Sequence, residues 1–281
     1  MGSQIHNKMP DEKKEDKKKQ QEQVMQKALG KIKNKLLVMS GKGGVGKSSV
    51  AANLAVLLAD KGFQVGLMDV DVHGPSIAKI MGIQGLLEVN AEKQLAKPAE
   101  FGDNLKIVSM QSFMRDADQA VIWRGPAKSG MIQQFITTVD WGELDFLIMD
   151  SPPGTGDEPL TIIQTVPDAR AVVVTTPQDV ALSDVRKSIN FCRTVDMNIL
   201  GLVENMGPFK CPHCDEEIAV FKKDGGKQTA IDMNVQFLGS LPYNFEVVHS
   251  GDSGNPVITK DKTNDYTKAL EAVAGELLNH L

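Results

Sequence analysis

Seven short apolar runs recur along the chain, separated by stretches of helical character, and this alternation predicts its architecture. The runs are Leu36 to Ser40, Gln64 to Asp69, Leu105 to Met110, Leu144 to Asp150, Ala171 to Thr175, Ile199 to Val203 and Val235 to Leu238. None alternates apolar with polar positions, as a strand wetted on one face would. Continuous apolar strands joined through helices belong to a parallel sheet covered on both faces. Helices are expected from Ser48 to about Asp60, in a short turn ending near Met81, and from Pro126 to about Val139. Further helices are expected up to about Thr165, from Val180 to Val195, near 225–233, and from the cap Asn264 to Leu281. Residues 84–104 read as an irregular excursion. The pattern predicts one α/β domain over residues 35–281, with its ligand beyond the carboxyl ends of the strands.

Residues 1–34 break the pattern. They carry nine Lys against five acidic residues and include the run Asp11 to Glu22, which has no apolar residue. Such a segment cannot offset its ordering entropy by burial and reads as a disordered or weakly helical tail, with a basic docking arm as the alternative. The whole chain has 31 basic and 36 acidic residues, a net charge of −5, so the body without the tail is at −9. An acidic body argues against nucleic acid as a partner. No run has the length of a membrane span and no signal peptide is legible, so the expected location is the cytoplasm, away from membranes. Three cysteines there read as metal ligands or reduced thiols rather than as a disulfide framework.

The first apolar run breaks into Gly41-Lys42-Gly43-Gly44-Val45-Gly46-Lys47-Ser48-Ser49. The spacing G-x-x-x-x-G-K-S is that of a phosphate loop, whose glycines turn successive N–H groups toward phosphate oxygens at a helix N-terminus. Lys47 is expected on the β/γ-phosphates of ATP, and Ser48 on magnesium (Mg2+). The fold class is therefore a P-loop NTPase. Asp69, Asp71 and Asp150 lie at or just past strand ends and can reach the loop. Asp150, before Ser151-Pro152-Pro153-Gly154-Thr155-Gly156-Asp157, stands where a Walker B carboxylate supports magnesium. His73 is given no role.

Cys211-Pro212-His213-Cys214 forms a second centre in an insert near 206–224. Two thiolates three positions apart chelate one metal centre, but a closed zinc or iron-sulfur site takes four ligands. Two copies of the pair across a two-fold axis supply four, so a homodimer is expected. A structural zinc and a thioredoxin-like redox pair are the other readings. Against the redox pair, Asp215-Glu216-Glu217 reads as a poor setting for lowering a thiol pKa. Cys192, alone on a helix, is expected to be a buried inert thiol.

The extra lysine in K-G-G-V-G-K-S resembles the deviant Walker A loop of MinD, ParA, the nitrogenase iron protein and the arsenical pump ATPase. That resemblance implies a sandwich dimer in which Lys42 of one subunit reaches the nucleotide of the other. It also implies that Asp71 positions the attacking water, with Asp69 closer to magnesium. Together with W-R-G-P (123–126), D-S-P-P-G-T-G-D (150–157), E-N-M with C-P-H-C (204–214) and G-D-S-G-N-P (251–256), the chain resembles the Mrp/ApbC iron-sulfur cluster carrier ATPases over about residues 34–280. The resemblance implies slow ATP hydrolysis, a [4Fe-4S] cluster bridging two subunits through Cys211 and Cys214, transfer to apo-proteins, and adenine recognition by Asn205. The chain lacks the N-terminal ferredoxin-like cysteines and the small N-terminal domain of other members, and so resembles the short form. The alternative within this fold is a MinD/ParA-like positioning ATPase. Its amphipathic C-terminal helix docks on a membrane, but the acidic helix expected here is better suited to packing on the domain.

Overall fold

The computed structural model describes residues 10–71, 74–90, 95–113 and 125–281. Val72 and His73, like Trp123 and Arg124 of the W-R-G-P motif, lie outside them, as do residues 1–9 of the tail. The first half of the domain runs α1 (Pro10–Leu29), β1 (Ile32–Ser40), α2 (Lys47–Asp60), β2 (Val65–Asp69), α3 (Ile77–Ile80), β3 (Glu88–Asn90), β4 (Leu95–Lys97), β5 (Ala99–Phe101) and β6 (Leu105–Ser109). After α4 (Gly125–Thr138) come β7 (Leu144–Asp150), α5 (Asp157–Thr165), β8 (Arg170–Thr175), α6 (Asp179–Thr194) and β9 (Ile199–Gly207). The chain closes with β10 (Phe209–Lys210), β11 (Glu217–Ile218), α7 (Gly225–Asp232), β12 (Phe237–Pro242), α8 (Phe245–Asp252), α9 (Val257–Lys260) and α10 (Asp265–Asn279).

Eight strands form one sheet in the order β12-β9-β8-β1-β7-β2-β6-β5, parallel at every pairing except β5 with β6. Strand β1 is central, and its successive side chains feed opposite layers. Leu36 and Val38 face Leu54 and Leu58 of α2 and Leu270 and Leu277 of α10, whereas Leu37 and Met39 face Phe135 of α4, Ile162 of α5 and Ile189 of α6. Fully burying each such side chain contributes roughly 1.5–3 kcal/mol. Two apolar layers around a parallel sheet are what the seven runs predict. Helix α10 begins at the expected cap, where Asn264 accepts the Thr267 N–H at 2.8 Å. It buries Tyr266, Leu270, Val273, Ala274 and Leu277 in the domain. No described helix is long and apolar enough to cross a membrane.

The structure departs from the sequence pattern in three places. Residues 84–104 hold ordered strands: β3 pairs β4 antiparallel, and β5 forms the antiparallel edge of the sheet. These strands have three residues each, and β3 is wholly exposed, so no apolar run marks them. Strand β9 continues four residues beyond Val203, through polar Glu204 and Asn205, because β12 pairs with it as far as Gly207. Helices α8 and α9 are too short to leave a clear period. The charged run, for which a weakly helical tail is one expectation, lies in helix α1, and Met25, Ala28 and Leu29 in its last turns pack against the layer of α4.

Candidate functional site

The carboxyl ends of β1, β2 and β7 stand level. Asp150 pairs in register with Val38 on one side and with Asp69 on the other. Beyond β1 the chain makes the phosphate loop, with Gly44 and Gly46 at φ +80° and +78°. The left-handed Gly46 is the N-cap of α2 and supplies no side-chain cap, so the first N–H groups of this central helix remain available to an anion. Gly41 packs so closely on the Asp184 backbone of α6 that a Cβ would not fit. Ser40 braces the loop: its hydroxyl donates to Lys42 O at 2.9 Å, and its carbonyl accepts the Gly154 N–H at 2.8 Å. That second bond joins the loop to the segment following Asp150. Gly43 and Gly44 are exposed, Val45 is buried, and Lys42, Ser48 and Ser49 are half-buried. Lys42 makes no ion pair among the described residues.

Lys47 turns inward. Its ammonium lies 2.5 Å from Asp150 Oδ1 and 3.3 Å from Ser48 Oγ, with both members of the ion pair buried. Asp150 Oδ2 is buried and has no hydrogen-bond partner among the described residues. Burial raises the Asp150 pKa, against the opposing pull of Lys47 and the Ser48 hydroxyl. Asp69 is also fully buried, and its pKa is pushed up to about 7 by burial and then by the neighbouring Asp150 charge. Its Oδ1 accepts the Asp71 N–H at 3.1 Å, while Oδ2 accepts the Ile77 N–H at 3.2 Å and the Ser109 hydroxyl at 3.0 Å. Asp69 thus holds the backbone of Asp71 and the start of α3. Asp71 is half-buried, and its Oδ1 accepts the Gly74 N–H at 3.1 Å. On the opposite flank, Asn205 Nδ2 donates to Val45 O at 2.9 Å.

The cysteine pair stands apart from these carboxylates. Strands β10 and β11 form a small hairpin whose turn holds Cys211 to Glu216, closed by Cys211 N–H to Glu216 O at 2.8 Å and Asp215 N–H to Cys211 O at 3.0 Å. Cys211 is half-buried and Cys214 exposed. The acidic neighbours do not set the thiol chemistry. The backbone N–H groups of His213 and Cys214, followed by the Cys214 thiol, hold the Cys211 pKa below its ordinary value, which corrects the expectation drawn from Asp215-Glu216-Glu217. The pair sits at a hairpin tip rather than at a helix start, unlike a thioredoxin-like motif. No group of three or more His, Cys, Asp or Glu suited to a metal occurs among the described residues. Cys192 is the expected buried thiol: its sulfur lies 3.4 Å from Met39 Sδ, and burial pushes its pKa up to about 11.

A phosphate cradle and a thiol pair on one parallel sheet can be compared with known proteins. The ParA family model described as NUBPL iron-transfer P-loop NTPase matches residues 31–278. The chain belongs to this family. It is 42% identical over 257 residues to the iron-sulfur cluster carrier protein of Methanococcus maripaludis, covering 90% of this chain and 89% of that one. It is 47% identical over 225 residues to the cytosolic Fe-S cluster assembly factor CFD1 of Kluyveromyces lactis, covering 78% and 79% of the two chains. A solved nucleotide-binding protein from Archaeoglobus fulgidus, in complex with ADP, is similar at a TM-score of 0.74 and 35% identity, over 87% of this chain and 94% of that one. The expected P-loop NTPase fold and family are both borne out.

Within this family fold, sequence reasoning passed over Glu204. It is buried on β9 beside Asn205, and its carboxylate accepts the Gly226 N–H at 2.6 Å and the Ser240 hydroxyl at 2.9 Å. It ties β9 to α7 and β12. A lone Glu closing the run Leu202-Val203 was the available signal, because a charge in a buried strand needs partners.

Proposed function

We propose that this protein is a cytoplasmic, homodimeric iron-sulfur cluster carrier that binds and slowly hydrolyses ATP and delivers a [4Fe-4S] cluster to apo-proteins, without nucleic acid or membrane. The observation that carries this reading is the Cys211/Cys214 pair, with Cys214 exposed, on the hairpin that directly follows the strand flanking the phosphate loop. The names of the two relatives support it. Four thiolates from two copies match a cubane cluster, and exposure lets recipient thiolates replace them one by one with no change of oxidation state. Burial of the apolar face of α10 favours this over a membrane-positioning ATPase.

Residues 41–49 cradle the triphosphate, and Lys47 leaves Asp150 for the β/γ-phosphates. Ser48 and the unpartnered Asp150 Oδ2 fit magnesium, which when bound would neutralise phosphate charge. Asp71 orients the attacking water, fixed from behind by Asp69, whose own carboxylate stays close to the metal site. Lys42 reaches the nucleotide held by a second copy, and Asn205 recognises adenine at the loop's edge. The test is transfer from anaerobically loaded protein to an apo-ferredoxin. Transfer that needs both Cys211 and Cys214 supports the reading, whereas a bound zinc that cannot be exchanged for iron and sulfide overturns it.

A further inference from the structure

The phosphate loop and the cysteine hairpin are joined by one short stretch of backbone, and Met206 sits at its junction. Met206 adopts φ +58°, a left-handed conformation that an unbranched L-residue holds only where its surroundings impose it. Those surroundings are the loop on one side, where Asn205 grips Val45 O at 2.9 Å. A Cβ placed on Gly46 would collide with Asn205 Nδ2 and lie 3.5 Å from Met206 Cε. On the other side, Gly207 O accepts the Tyr243 N–H at 2.9 Å, and a side chain at Gly207 would run into Ser240. Pro208 then fixes the backbone direction. Phe209 is seated against Tyr243 and Phe245, at ring distances of 5.7 Å and 5.8 Å. Cys211 follows two residues later, so the path from Met206 has little slack.

We propose that Met206, together with Asn205, is a positioning element that links nucleotide occupancy of the loop to the order of the cysteine hairpin. This rests on the nucleotide-binding reading above. Phosphates filling the cradle fix the Val45–Gly46 backbone, the Asn205 side chain bonded to Val45 O holds the end of β9, and the hairpin root is held with it through the left-handed backbone at Met206. A loaded loop therefore keeps the thiolates ordered, and an empty one loosens them for exchange. The regulation acts on cluster retention, through β9.

Hydrogen exchange on the metal-free full chain tests this, with and without ATP, at a concentration where light scattering gives the same oligomeric state throughout. In the unmodified protein ATP should slow exchange about threefold or more both in the loop segment 41–50 and in the hairpin 209–218. Met206→Gly, which accepts the left-handed backbone but removes the side chain and frees the backbone at the junction, should keep the loop protection and lose the hairpin protection. Met206→Leu should restore both. Loop protection without hairpin protection in the unmodified protein overturns the linkage while leaving nucleotide binding intact, as does hairpin protection that survives in Met206→Gly. Absence of protection even at the loop overturns nucleotide binding itself, and the linkage with it.

Discussion

Replacing Lys47 by Ala should do more than weaken ATP binding: it should destabilise the nucleotide-free protein in a pH-dependent way. The Lys47 ammonium lies 2.5 Å from Asp150 Oδ1, with the two side chains 7% and 0% exposed. Removing one partner of such a pair leaves an uncompensated buried charge, which costs about 3–5 kcal/mol. The lower end applies here, because Asp150 can take up a proton instead. Burial already holds its folded pKa above the ordinary carboxylate value, and loss of Lys47 removes the main opposing influence. A carboxyl whose folded pKa exceeds its unfolded value gives greatest stability below the unfolded pKa and loses it as pH rises through the folded one. The variant's deficit should therefore be about 3 kcal/mol at pH 8, equivalent to roughly 6–12 °C in Tm, and become smaller toward pH 5. Urea unfolding without nucleotide measures both values. Lys47→Ala combined with Asp150→Asn should recover more than half of the loss. A deficit under about 1 kcal/mol at pH 8, or one that does not change with pH, would refute the ion-pair reasoning.

Asp71→Asn should hold ATP within about twofold of the parent affinity by calorimetry while phosphate release falls about 100-fold, since the phosphate cradle survives and the water-orienting base does not. Unchanged turnover would move that role to Asp150. Cys192→Ala should lose about 1 kcal/mol of stability in urea for the small cavity beside Met39 and keep its full cluster content, whereas loss of the cluster would make Cys192 a ligand. In mass-spectrometric alkylation between pH 7 and 8, Cys211 should react faster than Cys214, because backbone N–H groups stabilise its thiolate. The reverse order would contradict that hydrogen-bonded turn.

The parallel sheet was legible because its strands are buried on both faces and so lose polar alternation, as Leu36 to Met39 and Leu144 to Asp150 show. The phosphate loop was legible because Gly41, Gly46, Lys47 and Ser48 meet a spacing that backbone geometry requires. Tertiary demands hid the rest. Strand β9 carries Glu204 and Asn205 at its carboxyl end only because Gly226, Ser240 and Val45 satisfy them from distant parts of the chain. The setting of Cys211 was misjudged because the tight turn brings N–H groups onto its sulfur, which counting nearby acidic residues does not reveal. Asp69 looked like a peer of Asp150, yet its bonds to Ile77 and Ser109 give it a bracing role that depends on how α3 and β6 pack.

On the proposed reading, one cluster is shared by the cysteine pairs of two chains. Native mass spectrometry of protein reconstituted anaerobically with iron and sulfide tests it most directly, with Cys211→Ala and Cys214→Ala measured beside the parent. A dimer carrying four irons and four sulfides is expected, with metal-free chains in both variants. A cluster carried by a monomer, or a dimer that retains its four irons without Cys211 or Cys214, would contradict it.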